Sequence, residues 1–105
     1  MKVRFADQAI RCRATPAELE RLLTGRNVVL EVALPRDHRF RLSIRPSALD
    51  AWQLDHDPTG LWLTIPRAQL EYLSQTAPST EGIEQRFPTS DGGSVHVSFE
   101  VDLQG

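Results

Sequence analysis

The residues of this chain whose types and spacing could do chemistry are mostly cationic. Lys2, Arg4, Arg11, Arg13, Arg39, Arg41 and Arg45 stand at alternate positions of strand-like runs, between apolar residues. A period of two puts them on the face opposite the apolar one. If those runs are neighbours, the seven side chains form one basic sheet face or the wall of a tunnel. Arginine forks grip phosphate through paired hydrogen bonds. A small anionic ligand is therefore the sharpest binding hypothesis, with a phosphate-ester enzyme as its catalytic extension. The competing reading pairs these arginines with Glu84, Glu100 and Asp102 across the sheet.

Other chemistries find less support. Triphosphate-tunnel enzymes, which also line strands with basic residues, need an acidic E-x-E metal motif early in the chain. Here the paired carboxylates are Glu100 and Asp102, at the other end. His38, His56 and His96 stand at no spacing that preforms a metal site, and no C-x-x-C or H-E-x-x-H occurs. Asp55-His56-Asp57 reads as the start of a turn. Cys12, Ser43, Ser94 and Ser98 lack any nucleophile elbow. We therefore assign no catalytic residue, no metal and no cofactor. Trp52 or Trp62 could stack a base beside the basic face. A pI near 5.9 and seven aromatic residues in all argue against nucleic acid.

The elements that must position these side chains are organised around Ile10–Leu23. Ile10 and Cys12 alternate with Arg11 and Arg13, and the run feeds a capped helix. Thr15 is its N-cap, Pro16 fills the first helical position, Glu18 closes a capping box, and Gly25 ends it. Much of the stretch recurs at Leu61–Leu73, with Ala17, Leu19, Glu20 and Leu22 answered by Ala68, Leu70, Glu71 and Leu73. Hairpin-like runs follow both copies: Val28–Leu34 with Phe40–Ile44, and Ile83–Phe87 with Val95–Leu103. Ala77 to Thr80 reads as a loop between the second helix and its hairpin. Leu49–His56 reads as a further strand, turned by Asp57-Pro58-Thr59-Gly60. The expectation is a single α+β domain over residues 1–105. About eight short strands form an antiparallel-dominated curved sheet or small barrel with two short helices. Its pseudo-repeat halves are about 9–45 and 60–103.

Composition sets the remaining bounds. A hydrophobic fraction of 40% and a charged fraction of 25% are ordinary for a globular domain. The net charge of −2 hides an asymmetry, with ten basic and five acidic residues up to Arg45, and two and nine after it. That split suits an anionic ligand, or a head-to-tail contact with a protein partner or second copy. Cys12 faces inward and reads as a core thiol. No apolar run is long enough to span a membrane, and nothing resembles a secretory leader, so the expected location is the cytoplasm.

Met1-Lys2-Val3-Arg4, then Ile10-Arg11-x-Arg13 and Thr15-x-x-Glu18, resemble a family of small bacterial proteins of unknown function that open with MKIR, a SIRYRL-like strand and a TQSEV-type helix start. The likeness returns at Leu63-Thr64-Ile65-Pro66, at Gly82-Ile83-Glu84-Gln85 and near Phe99–Leu103, where family members often carry lysine in place of Val101. The shared motifs describe strands and a helix cap. The resemblance implies a fold and transfers no functional residue. The function expected is a small non-enzymatic binding or protein-interaction module, with anion recognition by the arginine face as the alternative.

Overall fold

The computed structural model describes residues 1–75 and 82–102. A two-residue turn at Asp7 and Gln8 joins β1 (Lys2–Ala6) to β2 (Ala9–Ala14). Then come helix α1 (Pro16–Leu23) and the hairpin β3 (Val28–Ala33) and β4 (Arg39–Ser47). A second series repeats that order with β5 (Gln53–Asp57), β6 (Gly60–Pro66), α2 (Arg67–Gln75), β7 (Ile83–Pro88) and β8 (Ser94–Val101).

The helix start is built as its residues dictate. The Thr15 hydroxyl accepts from the Glu18 amide at 3.2 Å, and the Glu18 carboxylate accepts from the Thr15 amide at 2.9 Å. The same carboxylate accepts from the Met1 ammonium at 3.0 Å. Burial works against the Glu18 anion, but the Thr15 amide and the Met1 ammonium together hold its carboxyl below the usual range.

The α+β class, the eight strands and the two helices are as expected. The strands are shared between two four-stranded mixed sheets, and among the described residues neither closes into a barrel. Sheet A has the order β1-β2-β8-β7 and sheet B the order β3-β4-β6-β5. In each, two antiparallel hairpins flank one central parallel pair, β2 with β8 and β4 with β6. Antiparallel pairing dominates, and β8 lies inside its sheet as its long alternation suggests.

Inward residues of both sheets and both helices form one core. Cys12, Val97 and Phe99 of sheet A meet Leu42, Ile44, Leu63 and Ile65 of sheet B, with Leu19, Leu22, Leu70 and Leu73 from the helices. The helices touch each other, and both pack on sheet B. Burial pushes the Cys12 thiol up to about 12, so it is a core group and no nucleophile at neutral pH.

Two local expectations change. The strand expected over Leu49–His56 narrows to Gln53–Asp57. The Ser47 hydroxyl accepts from the Leu49 amide at 3.0 Å and turns the chain there. In the hairpin-like run Val28–Leu34, the apolar alternation of Val28, Leu30, Val32 and Leu34 makes a dry face only at its start. Val28 is buried, but Val32 and Leu34 are 44% and 45% exposed, because the far half of this edge strand runs past the core. The expected loop from Ala77 to Thr80 and the end of the last run at Leu103 lie outside the described residues.

Candidate anion-binding face

The β1–β2 hairpin sets Lys2 opposite Arg13 and Arg4 opposite Arg11. Directly opposed residues stand about 5 Å apart, and residues two along a strand about 7 Å. Four cations thus occupy one small rectangle of the outer face of sheet A, inside one screening length at physiological salt. Parallel pairing with β8 brings Glu100 beside Arg13. One oxygen of Glu100 accepts from Arg13 Nε at 3.0 Å and lies 3.5 Å from Arg11 Nη2. Lys2 and Arg4 make no ion pair among the described residues. The five side chains line a cavity of about 70 Å³, with four positive charges against one negative.

The expected continuous face of seven divides between the sheets. Arg39, Arg41 and Arg45 lie on β4, in sheet B. Arg39 and Arg41 share one oxygen of Glu31, at 3.0 and 3.3 Å, and their hydrogen bonds hold the Glu31 carboxyl below its usual range. Arg45 donates to the Thr64 hydroxyl at 2.9 Å and lies over the Trp62 ring, 5.5 Å from its centroid. These three cations are each engaged, and the hollow on this face is lined by Glu31 and Asp57 as well as Arg41. Of the acidic partners expected for the arginines, Glu100 takes that role, while Glu84 sits 3.0 Å from His96 Nε2.

Glu31 was within reach of sequence reasoning. A hairpin turned over Pro35 to His38 places it opposite Arg41. The Trp62 clamp had a weaker signal in the short Asp57-Pro58-Thr59-Gly60 turn. The indole N–H donates to one Asp57 oxygen at 2.7 Å, and the other oxygen accepts from the Thr59 amide at 2.6 Å. The Thr59 hydroxyl, then the Trp62 indole, lower the Asp57 carboxyl to about 2. A lowered carboxyl stabilises the fold above its unfolded value, near 4, and that contribution goes as pH falls through the folded value. Trp62 fluorescence should therefore stay constant down to about pH 3 and change as pH approaches 2. An Asp57→Asn chain should show no such acid step, and a step that survived the substitution would break the assignment.

Among the described residues no group of three or more His, Cys, Asp or Glu could hold a metal ion. No described helix is long and apolar enough to cross a membrane. Among the described residues the exposed large apolar side chains are Phe5, Val29, Val32, Leu34, Leu49 and Tyr72; Phe5 packs edge-to-face on Phe40 at 6.2 Å, and Val32 lies opposite Phe40.

The chain belongs to a family of unknown function, DUF7009, whose model matches residues 1–105. No curated protein and no solved structure matches it.

Proposed function

We propose that the protein is a non-enzymatic binding module that takes a small anion on the outer face of sheet A. The observation that carries this is the cavity among Lys2, Arg4, Arg11 and Arg13, where one carboxylate faces four cations. Glu100 occupies one donor edge of each paired guanidinium, and an arginine carries five N–H donors. The remaining donors, with Lys2 and Arg4, suit the oxygens of a phosphate group.

The sister sheet supports a functional reason for this charge. We read the two halves of the chain as an internal duplication, and the pairing registers favour it. Val3 pairs with Cys12 as Leu54 pairs with Leu63, an offset of 54 − 3 = 51 positions. Val28 pairs with Ile44 as Ile83 pairs with Phe99, an offset of 83 − 28 = 55. On that alignment Lys2, Arg4, Arg11 and Arg13 correspond to Gln53, Asp55, Trp62 and Thr64. The framework therefore builds the same pair of hairpins with no cation at any of the four positions. Like charges set close together are also unfavourable for folding. Their concentration on one sheet is explained by a ligand and not by the architecture.

The test is titration with inorganic phosphate at low salt, read by calorimetry and thermal shift. Phosphate at 100 times its dissociation constant should stabilise the fold by about 2.7 kcal/mol, a shift of several degrees. The shift should shrink in high salt. Lys2→Ala with Arg4→Ala should weaken binding by about a hundredfold or more, at roughly 1.5 kcal/mol or more for each of two charged hydrogen bonds lost. Since neither residue is ion-paired among the described residues, the unliganded melting temperature should hold or rise. A flat, salt-independent response to phosphate would sink the proposal.

A further inference from the structure

A second hollow of about 300 Å³ adjoins the basic cavity along sheet A, and Arg11 and Glu100 line both. That volume is at the small end of ordinary small-molecule sites. The second hollow changes character, being lined by Glu84, His96 and Ser98 as well as the small residues Ala9 and Gly82. We propose that these two adjoining hollows together take a phosphomonoester with a hydroxylated body, a sugar phosphate. The phosphoryl group sits among Lys2, Arg4, Arg11 and Arg13, and the sugar lies over the second hollow. This rests on the anion reading above and names its ligand.

Each end of the site selects for its part of the ligand. The cavity of about 70 Å³ has room for one small anionic group. A second phosphate would fall beside Glu84 and Glu100, whose charges oppose it. That disfavours bisphosphates, polyphosphate and a nucleic-acid strand. The second hollow contains no Phe, Tyr or Trp ring, only the His96 imidazole, so it offers a nucleobase a smaller stacking surface than those rings would. It does contain hydrogen-bonding capacity for hydroxyls. The Ser98 hydroxyl makes no hydrogen bond among the described residues, and Glu84 uses only one of its oxygens, toward His96. Glu100 likewise engages both arginines through a single oxygen. Both carboxylates already have cationic or imidazole partners, which favours neutral hydroxyl donors over an ammonium group.

The experiment is calorimetric titration with inorganic phosphate, glucose 6-phosphate, glucose and AMP. The proteins are the unaltered chain, a Glu84→Ala, Ser98→Ala chain and a Lys2→Ala, Arg4→Ala chain. Both pairs of side chains lie on the outer face, and circular dichroism melts verify that each variant folds. Glucose 6-phosphate should bind at least about tenfold tighter than phosphate, with glucose alone giving no heat. The Glu84, Ser98 variant should bring glucose 6-phosphate down to the affinity of phosphate and leave phosphate unchanged. The Lys2, Arg4 variant should lose both. Equal affinity for phosphate and glucose 6-phosphate, or AMP binding tighter than either, would overturn the ligand and leave the anion site standing. Absence of phosphate binding to the unaltered chain would overturn both.

Discussion

Gly60→Ala should cost the fold about 3 kcal/mol or more, a large fraction of the roughly 5–15 kcal/mol that holds a domain of this size together. Gly60 opens β6 with φ of +151°, a conformation that side-chain-bearing residues rarely adopt. It also lies against Arg41 in the central parallel pair of sheet B. A β-carbon there would collide with the Arg41 carbonyl, a backbone atom that cannot swing aside. Relief requires the central strands to separate, and the Arg41 amide donates to the Thr59 carbonyl at 2.7 Å in the same turn. Backbone strain of about 1–3 kcal/mol and overpacking of similar size act together. Urea unfolding of the variant would measure the loss. As a control, Gly92→Ala has positive φ but open space around its β-carbon, so it carries the conformational cost alone. Equal stability of the two variants would show that the close approach at Gly60 does not matter.

Phe99→Ala is the second large effect. Phe99 is fully buried and is the largest of the fully buried side chains. It stands on an inner strand, with Cys12 opposite on one side and Ile83 on the other. Both neighbours hold their strands in register, so the cavity has little room to collapse. The expected loss is about 3–5 kcal/mol, which in a domain near 100 residues lowers the melting temperature by tens of degrees. Phe5→Ala offers the contrast. That ring is 56% exposed, and its removal should cost well under half as much. Comparable losses would mean that the core lies elsewhere.

The parts of the fold legible in the sequence are those fixed by neighbours in the chain. Thr15, Pro16 and Glu18 announce a capping box because its hydrogen bonds span three positions. Lys2, Arg4, Arg11 and Arg13 could be placed together because a two-residue turn at Asp7 and Gln8 dictates their register. Arg39, Arg41 and Arg45 could be placed on one strand for the same reason, but not on the sheet that carries it. The two hairpins present the same outward alternation whether they share a sheet or not. What separates them is the parallel pairing of β2 with β8 and β4 with β6, and parallel partners are specified by the common core rather than by any turn. The balance of charge at the candidate site was hidden for that reason. Glu100 reaches Arg11 and Arg13 only through β8, whereas Glu31 meets Arg39 and Arg41 through a local hairpin. The strand expected from Leu49 begins only at Gln53, because a hydrogen bond from the Leu49 amide to the Ser47 side chain bends the chain there.

The two sheets differ in how much chain each must gather. Across the central pair of sheet B, Arg45 meets Thr64 over 19 positions. Across that of sheet A, Arg13 meets Glu100 over 87. Loop-closure entropy grows with the logarithm of that separation, so closing sheet A costs about 1.3 kcal/mol more. The basic cavity straddles this longer closure, with Arg11 and Arg13 on β2 and Glu100 on β8. The anion proposed for that site would fasten the segments that chain entropy most strongly drives apart. Its occupancy would then act on the assembly of the whole domain and not only on a patch of surface.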